Sequence, residues 1–132
     1  MKNRLVWLDT RVWNTWVGIC IGDPKQWKRG LKINGVSAAD QAKLYEILAG
    51  QNNSGARVAW HDDYPGYVFM QFYDTYKNDP VKLYGSIAHE SFHAAKRILT
   101  SHGITLVDES EEAFAYLIEH LVRTIHYELR RK

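Results

Sequence analysis

A chain of 132 residues with 24% charged and 45% hydrophobic residues has the size and composition of one globular domain spanning 1–132, large enough to bury a core without disulfides. Its formal charge of +2 comes from 17 basic and 15 acidic residues of interspersed sign, which argues against the one-sided basic field of a nucleic-acid binder. No apolar run approaches the roughly 18 residues of a membrane span, and no signal-peptide pattern opens the sequence, so a cytoplasmic protein is expected.

In chain order, Leu5 to Val36 is rich in Trp, Val and Ile and is broken by Gly22-Asp23-Pro24 and Asn34-Gly35, which predicts two or three short strands. Cys20, the one cysteine, lies in the apolar run Val17–Ile21 and reads as a buried, inert thiol. Trp7, Trp13, Trp16 and Trp27 read as strand packing instead of a ligand platform. Lys25, Lys28, Arg29 and Lys32 read as a solvated turn at a hairpin edge. Ser37 to Ala49 predicts a surface helix with Ser37 as its cap, Ala42, Leu44, Tyr45 and Leu48 at helical spacing, and Gly50 behind it.

Gln51 to Gly55 is a polar loop, and Ala56–Trp60 and Tyr67–Tyr73 predict a pair of strands around the turn Asp62-Asp63-Tyr64-Pro65-Gly66. Asp79 and Pro80 suit the cap and first turn of a helix that runs to Ser101 or His102, with Gly103 as its stop. Asp108-Glu109-Ser110-Glu111 is a capping-box pattern that opens a last helix to about Arg130, with an apolar stripe of Phe114, Leu117, Ile118, Leu121, Ile125 and Leu129. These elements sum to an α+β domain: a small, mostly antiparallel sheet packed on two long C-terminal helices.

The chemistry is concentrated in His89-Glu90-Ser91-Phe92-His93. Two imidazoles four apart on a helix point the same way and can share one tetrahedral zinc ion. Glu90 then lies beside the metal, where it can take a proton from water that the metal has acidified. Three specified positions are a weak signal alone, and two features add to it. Tyr84, Ala88, Phe92, Ala95 and Leu99 predict the core stripe of this helix, which puts His89 and His93 roughly 100 to 140° around, on a second face with Ser86 and Arg97. A downstream carboxylate can serve as third ligand: Glu112 follows His93 after 18 intervening residues and is favoured over Glu109 and Glu111, because Glu111 is occupied in the capping box.

HExxH followed by 18 residues and Glu resembles the gluzincin pattern of thermolysin-like and aminopeptidase-N-like zinc peptidases, over about Val81 to Arg123. The sequence is also similar to small, mostly phage- or prophage-encoded proteins that carry HExxH, then Gly103-Ile104, then Glu112-Ala113-Phe114-Ala115-Tyr116. The resemblance implies a zincin-like fold with zinc held by His89, His93 and Glu112. It implies that Tyr116, where those peptidases often have Asp, orients a ligand histidine, and that the strand before the motif helix, Tyr67–Tyr73, lines the cleft. A donor for the oxyanion comes from outside the motif, with His120, His126, Tyr73 and His61 as candidates. The expected activity is hydrolysis of a peptide or protein substrate by a zinc-activated water with Glu90 as base. The alternatives are a catalytically silent zincin-fold protein with a structural, assembly or host-interaction role, in the host cytoplasm if phage-encoded, and a metal-free binding module built on the Trp-rich sheet. The basic tail Arg130-Arg131-Lys132 reads as solvated charge.

Overall fold

A computed structural model of the chain describes residues 3–50, 55–73 and 78–131. Four of the Gln51–Gly55 loop positions and Lys132 therefore lie outside the described residues. Four strands form one mixed sheet in the order β1-β2-β4-β3: Arg4–Asp9 (β1), Trp16–Ile21 (β2), Ala56–Ala59 (β3) and Tyr67–Phe72 (β4). β1 pairs with β2 and β3 with β4 in antiparallel register, while the central pair β2 and β4 runs parallel, with Gly18 opposite Phe69 and Cys20 opposite Gln71. The sheet is thus mixed at its centre, because the chain crosses over through two helices between β2 and β3.

Those helices, Trp27–Ile33 (α1) and Ala38–Leu48 (α2), cover one face of the sheet, and Pro80–Ser101 (α3) and Glu111–Arg130 (α4) cover the other. With both faces covered, the central strands are apolar at nearly every position. Val17, Ile19, Ile21, Val68, Met70 and Phe72 face α3 and α4; Cys20 and Phe69 face Trp27, Leu31, Leu44 and Leu48. Gln71 is the polar exception, and it is satisfied: its Oε1 accepts from Trp27 Nε1 at 2.9 Å and its Nε2 donates to the Gly22 carbonyl at 2.9 Å.

The third strand allowed for before Val36 is instead α1, opened by a short 3-10 turn at Pro24–Gln26 whose cap Asp23 accepts from Lys25 N. Lys25, Lys28, Arg29 and Lys32 are accordingly exposed along this turn and helix and not at a hairpin edge. Trp27 is fully buried beside Trp7 and Phe69, in keeping with the packing role expected of the tryptophans. Ser37 caps α2, Asp79 caps α3 with Pro80 at its first turn, and Gly103 follows α3 in left-handed backbone (φ 79°), as the sequence predicts.

α3 is rotated from its predicted orientation. Its buried residues are Leu83, Ile87, Ser91, Ala94, Ala95, Ile98 and Leu99, whereas Tyr84, Ala88 and Phe92 are exposed. Stripes one residue apart differ by about 100°, and Ser91 disguises the true one by placing a hydroxyl at its middle. α4 presents its predicted stripe, with Phe114, Leu117, Leu121 and Ile125 buried and Ile118 and Leu129 partly so. No helix among the described residues is long and apolar enough to cross a membrane.

Candidate metal centre

The rotation of α3 sets the geometry of its outer face. His89 and His93 lie roughly 150 to 170° from the centre of the buried stripe, so both project away from the sheet, and both are exposed. Their rings are edge-to-face with centroids 4.7 Å apart, and their Nε2 atoms approach to 3.1 Å. Two nitrogens each about 2.0–2.1 Å from one tetrahedral zinc ion stand about 3.3 Å apart, so the spacing of the pair, which is that of an imidazole–imidazole hydrogen bond, is also close to that of two ligands on one ion. Glu90 occupies the flank between this face and the core and is partly buried. Burial pushes its carboxyl above the ordinary range, and the charges of His89 and His93 work in the opposite direction.

The other predicted ligands are not gathered at the pair. Glu112 is exposed, about 180° from the buried stripe of α4, on the outer face of that helix. Glu109 and Glu111 are also exposed. Among the described residues no three His, Cys, Asp or Glu side chains converge to hold an ion, and the histidine pair sits on the outer face of α3, not between α3 and α4 as the sequence suggests. The capping reason for setting Glu111 aside is also superseded: Ser110 Oγ accepts from Val107 N at 3.0 Å.

Tyr116 and His120 lie elsewhere. They line a separate depression of about 420 Å³ between α4 and the β1–β2 connection, with Thr10, Val12 and Trp13. Tyr116, 67% exposed, does not orient a ligand histidine in this arrangement. Of the remaining oxyanion candidates, the Tyr73 hydroxyl donates to the Gly50 carbonyl at 2.9 Å, the His126 ring lies tilted against Tyr84 with centroids 5.1 Å apart, and His61 Nδ1 accepts from Asp63 N at 3.0 Å.

The strand expected beside the motif helix, β4, packs against α3, as β3 also does. β4 is paired on both sides, by β2 and β3, so its main chain has no free hydrogen-bonding edge. β1 and β3 are the two edge strands, and β3 packs against α3. The connection after β3 brings Trp60 and Asp62 onto the same flank of α3: the Arg97 guanidinium lies 5.2 Å from the Trp60 ring centroid and 3.4 Å from Asp62 Oδ1. Arg97 was legible as the residue one turn past His93. Trp60 was not, because nothing local marks a partner so distant in sequence.

The sequence matches no protein-family model, and no curated protein and no solved structure is significantly similar to it.

Proposed function

We propose that this chain is a zinc-dependent peptidase that holds its metal through His89 and His93 and uses Glu90 as general base. What supports the reading is the 3.1 Å approach of two Nε2 atoms on an exposed helix face, with the partly buried carboxyl of Glu90 next to the first of them. Zinc bound there supplies the Lewis acidity that polarises a scissile carbonyl and acidifies water. The protein's own groups do the rest. The neutral imidazoles donate their Nε2 lone pairs, which requires both to be deprotonated at that atom. Glu90 accepts the proton of the attacking water and returns it to the leaving amine. β3 lies at one end of the strand order and packs against α3, an arrangement of edge strand and motif helix that is zincin-like. Glu112 joins as a third ligand only if α4 carries it to the histidines.

The test is a peptide-cleavage screen on zinc-loaded protein beside Glu90→Gln and Glu112→Ala. Cleavage by the wild type that Glu90→Gln abolishes at unchanged zinc content supports the reading. Zinc loss in Glu112→Ala identifies the third ligand. A second reading, a catalytically silent protein with a structural, assembly or host-interaction role, draws on the exposed position of Glu112 on the outer face of α4. It predicts zinc uptake without cleavage.

A further inference from the structure

His89 and His93 face outward together. Both lie on the side of α3 opposite its buried stripe, with their Nε2 atoms 3.1 Å apart. A tetrahedral ion held by two nitrogens has its other two positions on the side away from them, and on this helix that side is solvent. The surface beside the pair is low and partly apolar. Gly85 stands one turn before His89, and a Cβ built on it meets nothing within 4 Å. Phe92 has its ring centroid 6.0 Å from that of His93 and is 37% exposed. A face of this kind admits a second macromolecular surface close to the imidazoles.

We propose that two copies of this chain share one zinc ion, each supplying His89 and His93, and that this four-imidazole site is the closed, inactive form of the centre. The proposal rests on the reading of the two histidines as zinc ligands. Coordination identifies the occupant of the outer face: an ion with two nitrogens from one chain has two positions left, and a twofold axis through it brings the same two nitrogens from a second copy. Charge agrees with this. Four neutral imidazoles leave the two charges of the ion uncompensated, and each copy brings one Glu90 carboxyl next in sequence to His89, so the pair of carboxylates matches the ion. With all four positions filled by imidazole no water is held for Glu90 to deprotonate, whereas a chain that holds its own ion keeps positions open for water and substrate.

The test is sedimentation of the metal-free full chain during a stepwise zinc titration, beside His89→Ala, His93→Ala and Glu112→Ala. The mass is expected to double as zinc reaches one ion for two chains, to return to that of a single chain on addition of EDTA, and to fall also in excess zinc, where every chain takes its own ion. Neither histidine variant doubles, whereas Glu112→Ala doubles as the wild type does. Zinc uptake of one ion per chain at unchanged mass, zinc loss in Glu112→Ala, or doubling that occurs without zinc or persists in His93→Ala overturns the shared site. Cleavage that is greatest where the mass is doubled overturns the closed form. No zinc uptake at all overturns the shared site together with the reading beneath it. Cleavage is read separately from mass, so a shared ion without cleavage at any zinc loading sinks the peptidase reading alone.

Discussion

The layer of α1 and α2 and the outer face of α3 use similar residue types for opposite ends. In the first, aromatic and polar groups are turned inward and paired with one another: Trp27 is buried with its indole N–H on Gln71, Gln71 reaches Gly22, and Trp7 meets Trp27 and Phe69 edge-to-face. In the second, two imidazoles and an arginine lie outside the core, the imidazoles against each other and the arginine against the Trp60 ring and one exposed carboxylate. Buried, mutually satisfied groups set stability, whereas exposed groups that converge without being needed for packing point to a ligand.

The contrast breaks first at Trp27. Trp27→Ala removes a fully buried ring and leaves Gln71 Oε1 without its donor, so urea unfolding should show a loss of about 3–5 kcal/mol, with zinc uptake by the folded fraction unchanged. Gly18→Ala comes next: a Cβ there would stand 2.8 Å from the Trp27 ring and 2.9 Å from Trp7, and the overpacking should cost about 1–3 kcal/mol by the same measurement.

Cys20 gives the same layer a pH signature. Burial pushes its thiol from 9.0 to about 12. The folded state therefore resists ionisation, so the associated stability is fully present below pH 9 and is lost as pH rises from 9 toward 12. Unfolding free energy should decline more steeply across that window in the wild type than in Cys20→Ala, and a thiolate-directed reagent should label the native protein slowly at pH 8. Equal slopes would place the thiol in contact with water. The smallest effect sharpens the comparison from the other side: His93→Ala in metal-free protein should shift stability by no more than about 0.5 kcal/mol, because the ring is exposed and outside the core.

How far the fold was legible follows from where its signals were local. Helix ends marked by Ser37, Asp79-Pro80 and Gly103 are read from residues within a turn of the boundary, and they lie where the sequence puts them. α1 was missed because Trp27 and Ile33 suit a strand as well as a short helix, and only packing of Trp27 and Leu31 on the sheet decides between them. The phase of α3 was misread because Ser91 interrupts the stripe that is buried. That error carried into the site, where the true phase turns His89 and His93 outward. The two histidines four apart were legible from helical periodicity alone. Where Glu112, Tyr116 and His120 stand relative to them was not, since it depends on which way α4 faces relative to α3, a relation no spacing encodes.

The central claim is that the outer face of α3 is a metal site, and zinc titration of metal-free protein by calorimetry, beside His89→Ala and His93→Ala, tests it most directly. One equivalent of zinc bound by the wild type and neither variant retaining it is the predicted result. A wild type that takes up no zinc, or variants that bind it as the wild type does, would contradict the account.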